Sequence, residues 1–138
     1  MLTLRGKAAK HHVIAEGVIE SSGRIAQACG YTLHFAGEEK YLHSASEDGS
    51  QVSVEMVEDF RHAKLFADAA TASKVAKVLS YNLRMDCHVL EMFRCYEQEP
   101  NTITVFAKAH SRYVVGKLAK IDGVRVVEMD KLEPQGRG

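Results

Sequence analysis

Histidines are the side chains best suited to chemistry near neutral pH, and this chain spreads seven of them over 138 residues. His34 and His43 stand on either side of Gly37, so a hairpin reversing there would bring two imidazoles together for proton transfer or metal ligation. No carboxylate or cysteine sits at a ligand-like offset from them, and a polar sheet surface is the expected setting. His11 and His12 are adjacent and read as surface side chains. His62 and His110 are expected just ahead of helices, with Asp59 and Ser111 as sequence neighbours. A Ser–His doublet is not a hydrolase triad, because that chemistry needs nucleophile, base and orienting acid to meet in space.

Other catalytic signatures are missing from the sequence. It holds no GxSxG elbow, no Gly-rich phosphate loop ending in Gly-Lys-Ser/Thr and no HExxH zinc helix. Glu55, Glu58 and Asp59 read as a solvated acidic turn. Cys29, Cys87 and Cys95 form no CxxC, which argues for buried thiols over a disulfide framework or a zinc site. A small histidine-dependent enzyme is therefore the lowest-ranked reading, and neither cofactor nor metal is expected.

Charge offers a second kind of site. Eighteen basic residues balance eighteen acidic ones, but residues 101–138 carry seven against four. Lys108 and Arg112 are four apart and Lys117 and Lys120 three apart, so each pair would share a face of a helix, with Arg125 following on a strand. Tyr113 could add stacking. This C-terminal basic face is the expected site for an acidic partner or for nucleic acid, the latter as a weak, salt-sensitive accessory function. The acidic counterpart lies earlier: Glu38, Glu39, Tyr41, Glu47 and Asp48 fall on turns that can present them without disturbing a core. With no chemical motif and several scaffold signals, the leading expectation is a non-enzymatic protein-binding modulator using those residues.

Such sites need elements to hold them. Residues 31–35 alternate apolar and polar, Gly37 allows reversal, and residues 40–44 return, with His34 expected opposite Tyr41 and Leu33 opposite Leu42. QVSVEMV at 51–57 adds a third, half-buried strand to this meander. Ala72, Val75, Ala76 and Leu79 form the apolar stripe of a helix, with Asp59 or Asp68 available as a cap. MDCHVLEMFRCYE at 85–97 reads as an interior strand covered on both sides. Before the meander, Ile14 to Cys29 fits either a helix broken near Gly23 or a strand at 12–19 followed by a short helix.

FADAATASKVAK at 66–77 and FAKAHSRYVVGK at 106–117 share Phe, Ala, Val and Lys at an offset of forty residues, as two versions of one unit would. Units at 60–97 and 101–131 are accordingly expected as repeated βαβ motifs. The architecture that follows is α+β: a single domain over residues 1–138, with an early hairpin and meander in a mixed sheet and two helices packed on it.

The glycine hairpin followed by KYL, then EDF, AKLF and an Ala/Lys-rich helix, resembles small uncharacterised proteins encoded by bacteriophages and other mobile elements, over residues 31–92. The resemblance implies an inhibitor or other modulator of a bacterial host protein. An exposed sheet edge would favour a homodimer. No apolar run is long enough to span a bilayer and the basic N-terminus leads into no signal-like segment, so no membrane association and a cytoplasmic location are expected.

Overall fold

The computed structural model describes residues 27–49, 51–97, 102–121 and 126–132, together with the pairs 7–8, 14–15, 18–19 and 24–25. Four two-residue strands come first: β1 (Lys7–Ala8), β2 (Ile14–Ala15), β3 (Val18–Ile19) and β4 (Arg24–Ile25). The main elements follow as β5 (Gln27–Phe35), β6 (Lys40–Asp48), β7 (Gln51–Val57), a 3-10 turn (Phe60–His62), α1 (Ala69–Leu83), β8 (Asp86–Glu97), β9 (Thr102–Val114), β10 (Lys117–Ala119) and β11 (Val126–Leu132). The principal sheet runs β1-β11-β9-β8-β5-β6-β7, with β10 also on β9, while β2, β3 and β4 pair among themselves.

Every pairing is antiparallel. This corrects the expected α+β arrangement of a mixed sheet, two helices and repeated βαβ units. The chain does cross from β7 through α1 to β8, but β8 then runs antiparallel to β5. Residues expected as a second helix are the latter half of β9, a two-residue turn and β10.

Capping explains why the two similar segments part company. Asp68 accepts a hydrogen bond from the Thr71 amide at 2.8 Å and so starts α1. Forty residues on stands Lys108, which has no acceptor to offer. The second segment also follows Thr102, Ile103, Thr104 and Val105 and ends on Val114 and Val115, branched side chains that pack readily on a pleated surface.

The core lies on both faces of the sheet. On the helix side, Ala72, Ala76 and Leu79 pack against Leu33, Phe35, Leu42, Phe66, Cys87 and Val89. Tyr41, Leu90, Met92, Val105, Ala107, Ala109 and Met129 cluster on the other. β8 supplies both, as its almost unbroken apolar run implies.

The early meander is present with one departure. His34 pairs with Tyr41 and Phe35 with Lys40, and there the β5–β6 ladder stops. Leu33 does not pair with Leu42, because residues 64–66 enter between the strands. The Lys64 amide donates to the Leu42 carbonyl at 2.8 Å, and Phe66 exchanges two backbone hydrogen bonds with Tyr31 at 2.7 and 2.9 Å. Gly30 makes room for this wedge: its φ is +133°, and a Cβ there would sit 2.9 Å from the Phe66 carbonyl oxygen.

Candidate protein-docking site

Beyond the wedge, β6 and β7 continue as a two-stranded arm. From Ser44 to Asp48, β6 has no strand partner among the described residues except β7, and residues 43–49 are exposed. Val52 and Val54 are half-buried on the side facing α1, while Ser53 and Glu55 face outward. Between this arm and the helix lies a cleft of about 260 Å³, lined by Ala45, Val52, Val75, Val78 and Leu79 with Glu47 and Lys74 among its polar residues. Unpaired strand edges beside an apolar cleft can hydrogen-bond an extended peptide and take one of its side chains.

The acidic residues expected to bind a partner occupy the two ends of β6. Glu38 and Glu39 are exposed in the β5–β6 turn, and Glu47 and Asp48 are exposed near the tip of the arm. The strand separates them by roughly 25 Å at the usual rise per residue. Tyr41 is fully buried between them and supports the sheet from within.

The basic residues do not form the shared helical faces expected of them. A bulge at His110 shifts the β8–β9 register, so Lys108 lies opposite Glu91 on the helix side and Arg112 opposite His88 on the other. Arg112 also forms a forked ion pair with Asp86, its shortest contact 2.9 Å, and donates to the Lys120 carbonyl. Lys117 and Lys120 are exposed around β10. Arg125, His11 and His12 lie outside the described residues.

Histidine geometry separates the two imidazoles expected to meet. His43 is exposed, 3.3 Å from the Glu55 carboxylate, whereas His34 is fully buried. The polar-surface expectation for His34 is thus corrected: it sits in a cross-sheet row of Tyr41, His34, His88 and Arg112, one residue from each neighbouring strand. Neither ring nitrogen of His34 has a hydrogen-bond partner, nor does Nδ1 of His88. Burial, reinforced by His88, pushes His34 down to about 4, with Asp86 opposing; burial also lowers His88. A neutral His34 ring with neither nitrogen hydrogen-bonded is core material rather than one end of an acid–base relay.

One partly buried cluster combines hydroxyl, carboxylate and imidazole. The Tyr31 hydroxyl donates to Glu91 Oε2 at 3.3 Å, and His110 Nδ1 lies 3.2 Å from Ser111 Oγ. The two pairs touch through the edge-on rings of Tyr31 and His110, with centroids 5.6 Å apart. That contact carries no proton, so the groups do not compose a nucleophile–base–acid chain. Among the described residues no three His, Cys, Asp or Glu side chains converge as a metal site, and no helix is long and apolar enough to cross a membrane.

Sequence reading missed Val78 and Tyr81, which place a second apolar stripe on the outer side of α1 with Lys74. Their spacing of four and three residues is the available signal, masked by the stronger stripe through Ala72, Ala76 and Leu79. The chain matches no protein-family model, no curated protein and no solved structure.

Proposed function

We propose that this chain is a protein-binding module that receives an extended segment of a partner protein along the β6–β7 arm. The observation that carries the reading is the arm itself: two strands with open edges, standing beside an apolar cleft floored by Val75 and Leu79 of α1. Backbone pairing to the open edge supplies affinity, and the cleft selects an apolar side chain at alternate positions of the bound segment. Glu47 and Lys74 lie on the polar boundary and bias its register. Three free thiols, two of them buried, favour a reducing compartment such as the cytoplasm for this work.

Selection of peptides from a random library on the purified chain, followed by NMR mapping of the winners, tests the reading. Enriched sequences should alternate apolar residues and perturb the Ser44–Asp48 amides together with the Val52 and Val75 methyls. Failure to enrich any peptide, or mapping to another surface, would count against it. Sedimentation run alongside identifies the competing occupant, a second copy of the chain, by a concentration-dependent dimer whose shifts fall on the same amides.

A further inference from the structure

On the opposite flank of the α1 ridge, we infer a second docking site, one for an acidic peptide segment that carries a single apolar anchor. The site is a cleft of about 530 Å³ lined by Lys74, Lys77, Val78, Tyr81, Asn82 and Gly116. None of these residues is acidic. Both lysines are exposed, and neither has an ion-pair partner among the described residues. A chain with no net charge therefore concentrates cations around one apolar floor.

That floor is built to stay open. Tyr81 is 64 % exposed and Val78 43 %, although both project from the only α-helix among the described residues. The β9–β10 turn is fixed beside them: the Gly116 amide donates to Ser80 Oγ at 2.9 Å, and a Cβ on Gly116 would meet the Tyr81 Cβ at 2.9 Å. Val115, in the same turn, holds φ +46° with its side chain partly exposed. A branched residue seldom adopts that conformation, and Asn or Gly would fit the turn better. Strain retained next to an exposed cationic cleft points to a use for the valine side chain, as part of the apolar rim.

The chemistry favours a peptide over nucleic acid. The cations are lysines, point charges without the planar fork of arginine, and the space between them holds a few side chains rather than a track for a backbone. Leu118, 69 % exposed on β10, extends the apolar surface past the turn.

The test uses the whole chain and three labelled pentapeptides: four glutamates around a leucine, four glutamates around a glycine, and four lysines around a leucine. The glutamate–leucine peptide should bind, shift the resonances of Tyr81, Asn82 and Gly116, and weaken several-fold on raising salt to about 0.3 M. The other two should bind at least about tenfold more weakly, one lacking the anchor and one the charge complement. Charge reversal in a Lys77→Glu variant, which leaves the lining of the arm cleft untouched and whose fold is verified by circular dichroism, should abolish the shifts. Val115→Asn should raise the melting temperature while weakening binding about threefold, a combination that a purely structural role for the turn does not produce. Equal binding of all three peptides, or shifts away from the cleft, overturns the inference. Tighter binding of an oligothymidylate of equal charge, mapped to the same lysines, overturns it in favour of nucleic acid. Lys74 and Val78 line both clefts, so the readout rests on residues of one cleft alone, Tyr81, Asn82 and Gly116 here and Ser46, Glu47 and Val52 at the arm, and loss of either site is read independently.

Discussion

His34 of β5 lies directly opposite His88 of β8, their ring centroids 6.4 Å apart, and both imidazoles are closed off from solvent. Tyr41 from β6, Arg112 from β9 and the Asp86 carboxylate from β8 complete the polar surroundings. Folding holds His34 at about 4 against an ordinary 6.5, so between those values the unfolded chain binds more protons than the folded one. Stability should accordingly be full above pH 6.5 and fall as pH drops towards 4, by about 3 kcal/mol from this residue. Urea midpoints measured across that window check it. His34→Leu should flatten the acid-side slope appreciably while leaving the neutral-pH unfolding free energy within about 1.5 kcal/mol of the parent. An unchanged slope would place the acid sensitivity elsewhere.

Gly30→Ala should destabilise the protein by about 2–3 kcal/mol, since the new methyl meets the Phe66 carbonyl oxygen and φ +133° is hostile to any L side chain. The damage should be local first. Amide exchange at Tyr31 and Phe66, which hydrogen-bond each other across the wedge, should accelerate more than exchange along β8 and β9.

Removing the helix cap with Asp68→Ala should cost about 1 kcal/mol, because the Thr71 amide loses its acceptor. Asp68→Asn keeps an acceptor and should recover most of the loss. Thermal melts of the two variants side by side give the comparison.

Leu79→Ala should be the more severe helix substitution, at about 3 kcal/mol. Leu79 is buried in the helix-side core and also floors the arm cleft, so the variant tests packing and site at once. Its denaturant midpoint should fall, and peptides selected on the parent arm should bind it more weakly at temperatures where it remains folded.

Alternation from Gln51 to Val57 marks a strand with one wet face, and the uniform apolar centre of 85–97 marks one enclosed on both. Alternation from Tyr31 to Phe35 marks a strand too, but its polar positions Thr32 and His34 are as buried as Leu33 and Phe35, so the pattern shows the element and not its enclosure. The helix was legible because Asp68 caps it and the Ala72, Ala76 and Leu79 stripe repeats at helical spacing. The segment 106–117 was not, since a lysine stands where a cap is needed and the choice of strand is made by a long ladder with β8 that no local pattern encodes. Bulges are equally silent in sequence. The one at His110 puts Lys108 and Arg112 on opposite faces, which dissolved the basic pair, and the wedge at 64–66 opened the arm from a ladder that alternation alone would have carried on.

Antiparallel pairing of β5 with β8 also sets a timetable for folding. β6 with β7 and β8 with β9 are close neighbours in sequence and can zip early, but the Tyr31–Glu91 contact closes a loop of sixty residues. Such a closure loses chain entropy before any native contact rewards it, which places this domain among the slower small folders, on the millisecond-to-second scale. Until β5 arrives, β8 presents one unpaired apolar edge, and the chain is then most exposed to association with its own copies.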